Sequence, residues 1–279
     1  MAYLAANWSF DPFIVLVAIL VIWHEAGLAR LARRSQREPP GPRRVRSIWF
    51  YAGLAIVSAS VASPISHWAG AYFFIHVAQQ LLLMFAAPAL LVAGAPWEAL
   101  RAGLPGRLGA WSRPTRAVAE LAVAPRFALV AFNAVMLIWY WPPLFDLAAR
   151  NSAVRIWLSH GSYVLAGTLF WLQFIPSAPL RTGLRRTGQI AALLVSDWVM
   201  WLLAMSMTIL TSGSWYRVYD HVPGVTLAPI QGQRLGGLIL WISGFFWAGP
   251  TLNYVIRRML AEDQGDGVSA LVDRLLGRS

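Results

Sequence analysis

The chain has 279 residues, of which 58% are hydrophobic and only 13% are charged, and its formal net charge is +11. This composition excludes an ordinary soluble domain, and the absence of cysteine excludes disulfides, thiolate metal sites and cysteine nucleophiles. Every basic residue is an arginine, so the placement of the arginines decides what the positive charge means.

Seven apolar stretches follow one another along the chain, and most are long enough to cross a bilayer as a helix. They cover residues 13–32, 48–62, 71–94, 126–145, 153–175, 188–210 and 234–256. The sequence therefore predicts an all-α integral membrane protein, a bundle of seven transmembrane helices. We predict a transmembrane domain over residues 1–260 and a cytoplasmic tail over residues 261–279 with a short amphipathic helix.

The arginines fall on alternate connections between these stretches. The segments between residues 26 and 48, 94 and 127, and 176 and 188, and the tail after residue 256, hold 7, 5, 3 and 4 of them, whereas only Arg150, Arg155, Arg217 and Arg234 lie on the other side. A split of 19 to 4 follows the positive-inside rule and predicts an external N-terminus and a cytoplasmic C-terminus. The charge thus reflects topology, and we expect no nucleic-acid partner.

The third stretch carries three polar residues, His76, Gln79 and Gln80, in its first third. His76 and Gln80 are four residues apart, so they share one face of a helix. A polar side chain within a span is costly and faces the interior of the bundle, where a partner satisfies it. Two interpretations follow: a cluster of hydrogen bonds between helices, or a metal site.

The other histidines favour the outer face. The fifth stretch enters from the same side as the third, so His160 lies at a depth similar to that of His76, while His67 and His221 lie in outer connections. Imidazole suits copper and zinc, and a set of histidines and methionines without thiolates favours copper. We predict His76, His160 and Gln80 as copper ligands, with His67 and His221 as further candidates.

Two other polar positions lie within the predicted spans. Asp197 stands near the middle of the sixth stretch, where it either takes part in proton movement or locks two helices together, with Asn133 or Gln173 as its partner. Helix locking is the favoured interpretation. His24 and Glu25 form a predicted polar pair at the inner end of the first stretch.

Three segments resemble hallmark segments of the multi-spanning CtaG-type cytochrome c oxidase assembly proteins: "YFFIHVAQQLLLMFAAPALLVAGAPW", "SHGSYVLAGTLFW" and "GQRLGGLILW". They occur in the family's order and cover nearly the whole chain. The resemblance implies a seven-helix membrane fold and a part in maturing the copper centres of a haem–copper oxidase. The matching residues are His76, Gln79, Pro88, Gly94, Pro96, His160, Gly167, Phe170, Trp171, Gln233, Gly236, Gly237 and Trp241.

Four positions depart from the family pattern. Gln80, Tyr140 and Ile156 stand where family members have histidines, and Gly232 stands where they have an acidic residue. The resemblance therefore implies an oxidase-assembly role more strongly than it implies any particular metal ligand.

The predicted function is that of a membrane assembly factor in the bacterial inner (plasma) membrane, which assists copper-centre maturation at the outer face. Its partners would be the oxidase subunits and the lipid bilayer. Passing copper from one ligand set to another makes no covalent bond, so we do not expect an enzyme. The alternatives are a copper or small-ion permease, which needs polar groups across the whole membrane, and a metal-free scaffold for an oxidase subunit.

Overall fold

The computed structural model describes residues 11–34, 41–104, 124–180 and 184–275, and the long elements within these ranges are helices. Helix α8 is made of two consecutive segments, and a short 3₁₀ turn, Arg217–Tyr219, precedes the last helix. In chain order the helices are α1 (Phe13–Arg34), α2 (Gly41–Ala62), α3 (Pro64–Ala71), α4 (Phe73–Ala93), α5 (Trp97–Gly103), α6 (Pro125–Tyr140), α7 (Pro142–Arg150), α8 (Val154–His160 and Gly161–Trp171), α9 (Arg186–Thr208) and α10 (Pro229–Leu275).

The helical character of the chain is confirmed and several helices are able to cross a membrane, but the count of seven spans is not confirmed. Within the described residues five helices are long and apolar enough to cross a membrane, namely α1, α2, α4, α9 and α10, and α6 with α7 makes a sixth if that bent pair is one span. Helix α8, predicted as the fifth span, is not among them. Its first turns carry Arg155, Ser159 and His160, which lower its mean hydropathy.

The fourth predicted stretch, residues 126–145, contains a helix break. Helix α6 ends at Tyr140, and α7 begins at Pro142 with a change of direction of 75°. Trp141 between them has φ −70° and ψ 121°, which is the extended conformation that a following proline imposes. Pro142 also lacks the N–H that would continue the hydrogen-bond ladder. The Pro142–Pro143 pair therefore turns the chain before the stretch ends.

Helices α4 and α8 lie side by side and run in the same direction. They cross where Gly167 meets the Met84 carbonyl, since a Cβ on Gly167 would overlap with that oxygen. Beyond their C-terminal ends Ser177 Oγ donates to the Val92 carbonyl at 2.7 Å. Toward their N-terminal ends His76 and His160 lie within electrostatic range of each other. The equal depth predicted for these two histidines corresponds to an actual proximity.

The connections gather at two ends of the bundle, as alternate sides of a membrane require. Helix α3, helix α7 and the turn Arg217–Tyr219 surround the N-terminal ends of α4 and α8. At the other end Arg186 forms an ion pair with Glu262 at 2.7 Å, and Arg30 donates to three carbonyls at the end of α5 at 2.7–2.9 Å. Which end faces outward stays a prediction.

The last helix crosses the predicted domain boundary at residue 260. Helix α10 has 47 residues and continues to Leu275, with Pro250 inside it. Residues 276–279 of the predicted tail lie outside the described residues, and the division of the chain at residue 260 stays a prediction.

Candidate functional site

A cavity of about 70 Å³ with both polar and apolar lining lies between the N-terminal ends of α4 and α8. Helices α3 and α7 and the turn Arg217–Tyr219 close it on the remaining sides. Its polar lining is formed by Ser66, His76, Gln79, Arg155, Ser159, Tyr163 and Tyr219. The third and fifth predicted stretches therefore share one polar site with three connections from the same end of the bundle.

His76 faces this cavity from α4. Its ring packs edge-on against Phe145 of α7, with 4.8 Å between the ring centroids, and lies parallel to Phe73. One turn further along, Gln79 is buried, and its Nε2 donates to the Ser60 carbonyl of α2 at 2.7 Å. Gln79 thus fixes α4 against α2, and this contact sets the direction in which His76 points.

His160 is buried behind the cavity with no hydrogen-bond partner among the described residues. Only 1% of its surface is exposed, and both ring nitrogens lack a partner there. The Asp11 carboxylate lies 3.9 Å from its Nδ1. An unpaired buried polar group costs about 1–3 kcal/mol, so the fold holds this imidazole at an energetic cost.

Asp11 comes from the segment before α1 and brings that segment onto α8. It is 6% exposed, and its Oδ1 accepts a hydrogen bond from the Phe13 backbone N–H at 2.8 Å. Burial raises the pKa of the Asp11 carboxyl above its usual value, while the Phe13 hydrogen bond and the Arg155 charge act in the opposite direction. Asp11 therefore supplies an acidic group at the site.

The segment Val154–His160 of α8 is π-helical. Its hydrogen bonds join residues five apart, and such segments occur frequently at functional sites. Arg155 and His160 are five apart, and both interact electrostatically with His76. The π-helical turn thus directs a cation and an imidazole toward the same helix, α4.

Sequence reasoning missed Asp11 and Arg155 as members of this site. The sequence places Arg155 among the four arginines on the less basic side, and no motif marks Asp11. The spacing of five before His160 was visible in the sequence. It became informative only with the π-helical geometry, because residues five apart diverge on an α-helix.

Gln80, predicted as a ligand beside His76, points elsewhere. Its Nε2 contacts the Met84 sulfur at 3.9 Å, and its Oε1 has no hydrogen-bond partner in the described ranges. His67 and His221 are exposed, and neither lines the cavity. In the part of the chain that the structure describes, no group of three or more histidine, aspartate or glutamate side chains could hold a metal ion.

Asp197 rests against α10. A Cβ on Gly244 would lie 2.5 Å from Asp197 Oδ1, so the carboxylate packs directly against this glycine. The predicted partners have other hydrogen bonds: Asn133 donates to Ser196 Oγ at 3.0 Å, and Gln173 donates to the Leu169 carbonyl at 3.1 Å. Asp197 therefore lies in the contact between α9 and α10.

A second polar cluster lies at the opposite end of the bundle. His24 is buried, and its Nδ1 is 2.8 Å from the hydroxyl of Tyr51 on α2. The same hydroxyl donates to Glu25. The predicted His24–Glu25 pair is thus joined through a residue that the sequence did not single out, and the cluster ties α1 to α2.

Comparison with known families gives one match that covers most of the chain. A family model described as cytochrome c oxidase caa3 assembly factor matches residues 14–262. The match includes the segments that carry His76 and His160.

Three mycobacterial relatives are similar to this chain. Uncharacterized proteins of Mycobacterium bovis and Mycobacterium tuberculosis are each 29% identical over 253 residues, and one of Mycobacterium leprae is 29% identical over 248 residues. Each alignment covers 84% of this chain and 36% of the relative, so the chain spans about a third of the length of these relatives. No solved structure matches the chain significantly.

Proposed function

Since the chain belongs to the family of cytochrome c oxidase caa3 assembly factors, we propose that it assists copper-centre maturation in a haem–copper oxidase. In this proposal it acts in the bacterial plasma membrane, at the outer face, and an oxidase subunit docks beside α4 and α8. The family points to a non-catalytic role, and transfer of a metal ion between ligand sets requires none of the bond-making chemistry of an enzyme.

The observation that carries the copper proposal is the unpaired, buried imidazole of His160 next to His76. Imidazole nitrogens bind copper, and a nitrogen without a hydrogen-bond partner is free to do so. The Asp11 carboxylate, 3.9 Å from His160, can offset the charge of a bound cation. Copper is here the cargo.

A small ligand set suits transfer. Two imidazoles hold copper less firmly than a complete set of four ligands, and a loosely held ion can pass to a partner with more ligands. The departures at Gln80, Tyr140 and Ile156 are consistent with this idea, because each removes an imidazole that family members offer. Gln80→His would restore one of them on the helix that carries His76.

A metal-free scaffold is the second candidate, and Arg155 favours it. A guanidinium that interacts electrostatically with His76 and His160 opposes the binding of a cation there. In that case the buried polar cluster would serve to hold α1, α4 and α8 in the arrangement that an oxidase subunit recognises.

Cu(I) binding by the purified protein distinguishes these candidates. We expect the parent protein to bind Cu(I), His76→Ala and His160→Ala to weaken binding at least about tenfold, and Gln80→His to strengthen it. His67→Ala and His221→Ala are the matched controls, because these exposed histidines lie away from the cavity. His160→Phe, which fills the buried site with an apolar ring, separates ligand loss from loss of packing.

The outcomes assign the function. Copper-dependent stabilisation of the parent that disappears in the His76 and His160 variants supports the carrier, because a ligand of the folded state raises its apparent stability. Equal melting temperatures with and without Cu(I), in both the parent and Gln80→His, would rule out the carrier and support the metal-free scaffold. Copper flux through proteoliposomes would instead indicate the permease.

A further inference from the structure

The cavity beside His76 offers hydrogen-bond donors that have no acceptor in the described part of the chain. The Arg155 guanidinium lines the cavity, and the Asp11 carboxylate, which interacts with it electrostatically, lies 3.9 Å from His160. Arg155 thus presents a positive charge to an enclosed space.

The other polar groups of the cavity are largely occupied. Gln79 donates to the Ser60 carbonyl at 2.7 Å, and the Tyr219 hydroxyl donates to the Ala69 carbonyl at 2.9 Å. Tyr163 and Ser159 interact with each other through a side-chain hydrogen bond. Arg155, His76 and the Ser66 hydroxyl are the remaining polar groups of the lining that a ligand can contact. A guanidinium surrounded by neutral hydrogen-bond donors is an arrangement that recognises an oxyanion.

We propose that this cavity binds a carboxylate through Arg155. A guanidinium binds a carboxylate with two parallel hydrogen bonds, which a compact cation such as lysine cannot do. The cavity volume of about 70 Å³ exceeds the roughly 10–15 Å³ that one water requires, so a carboxylate group fits. The group can belong to a small organic anion or to an aspartate or glutamate side chain of a docked protein.

The carboxylate also changes what the two histidines can hold, and this step rests on the proposed copper function. An anion on Arg155 neutralises the charge that opposes a cation at His76 and His160. Carboxylate and Cu(I) then strengthen each other's binding by the same factor, because the coupling between two sites is reciprocal. A docking carboxylate would in this way couple partner recognition to metal affinity.

The carboxylate site is tested on the purified, copper-free protein with acetate as the probe. We expect about 100 mM acetate to raise Tm by about 2–4 °C relative to acetamide with equimolar chloride. The Arg155→Gln variant should lose this shift. Arg150→Gln removes a positive charge from an exposed position nearby and should keep it. Arg155→Lys retains the charge and should keep part of the Tm shift. It serves as a control in case the Arg155→Gln variant does not fold.

Two further experiments identify where the carboxylate comes from and whether it changes Cu(I) binding. If blocked aspartate (N-acetyl-aspartate amide) stabilises the protein as acetate does, the cavity admits a side chain of a partner; stabilisation by acetate alone assigns a free anion. Acetate should also tighten Cu(I) binding at least about threefold in the parent and not in Arg155→Gln. An acetate shift without Cu(I) binding would support the carboxylate site and end the copper proposal.

A shift that persists in Arg155→Gln, or an acetate effect no larger than that of chloride, would overturn the proposal. The first result would place the anion elsewhere on the protein. The second would mean that Arg155 only balances Asp11 and the electrostatics of the site.

Discussion

Several polar side chains in this bundle contact residues on other helices. Asp197 of α9 is one of them, and its neighbour is Gly244 of α10. Its Oδ1 would lie 2.5 Å from a Cβ on Gly244 of α10. The carboxylate is half-buried, and a polar group within a span is usually held by a neighbouring helix. The Asp197 carboxylate therefore packs directly against Gly244 at the α9–α10 contact.

We predict that Gly244→Ala lowers the free energy of unfolding by about 1 kcal/mol, the low end for overpacking, because the terminal carboxylate of Asp197 can shift away from the added methyl group. Shortening the opposing side chain with Asp197→Ala should relieve most of this loss in the double variant. Chemical denaturation of the four proteins in detergent gives the coupling energy. Gly249→Ala on the same helix is the control, since a Cβ there meets nothing within 4 Å. Additive losses would show that the two residues do not interact.

Only some contacts of individual residues could be predicted from the sequence. The equal depth of His76 and His160 could be predicted from hydropathy and from the alternation of arginines, whereas the adjacency of their helices could not. The partner of Asp197 could not be predicted, because glycine carries no chemical signal and the rotation of α10 about its axis is set by packing. Tyr140 likewise substitutes for a family histidine, yet only the structure shows that its hydroxyl is buried without a partner among the described residues.

At the scale of the helices, the residues that carried the family resemblance have two kinds of role. His76 and Gln79 line the cavity, whereas Gly167 allows α4 and α8 to approach each other. Gln233 links a loop to α10, since its Oε1 accepts from the Trp215 N–H at 2.7 Å and its Nε2 donates to the Met207 carbonyl at 3.3 Å. Much of the motif therefore specifies how the helices pack around the site.

We predict that Gly167→Ala is destabilising by at least about 2 kcal/mol, since the new methyl group would overlap with the Met84 carbonyl and push α8 away from α4. Gly161→Ala, on the same helix, meets nothing within 4 Å and should be neutral or stabilising by up to about 1 kcal/mol, because alanine favours a helix. Thermal melting of both variants provides the comparison. Equal losses at the two positions would mean that α4 and α8 do not cross at Gly167.

Helix positions were largely predictable, and their irregularities were only partly so. Apolar length placed α1, α2, α4, α9 and α10 to within a few residues at most ends. The break at Trp141 was readable in principle, because two prolines follow it directly. The π-helical segments Leu82–Ala86 and Val154–His160 were not, since their extra residue per turn is retained through tertiary contacts and leaves no mark in composition.

At the scale of the whole molecule, the distribution of arginine predicts which end of the bundle faces outward. The chain contains no cysteine, so single cysteines report sidedness without background labelling. Gly70 and Gly213 are exposed at the end where the cavity lies, and Arg101 is exposed on α5 at the opposite end. Neither glycine would crowd a neighbour if it carried a side chain.

We predict that a membrane-impermeant maleimide labels Gly70→Cys and Gly213→Cys in intact cells and labels Arg101→Cys only after permeabilisation. The physical reason is that basic segments are retained in the cytoplasm. The reverse pattern would invert the orientation and place the cavity inside. Labelling of all three positions from one side would contradict the alternation of spans.

The length of helix α10 determines how far the chain extends from the membrane. At 1.5 Å per residue its 47 residues extend about 70 Å, whereas the hydrocarbon core of a bilayer is only about 30 Å thick. A helix of this length is longer than one crossing needs, so its last turns are expected to extend past the headgroups, although Pro250 interrupts its hydrogen-bond ladder. A small tilt at Gly236, where α10 touches α4 one turn from His76, would therefore become a much larger displacement at Leu275. Movement at the cavity could in this way be measured in the aqueous phase, far from the histidines.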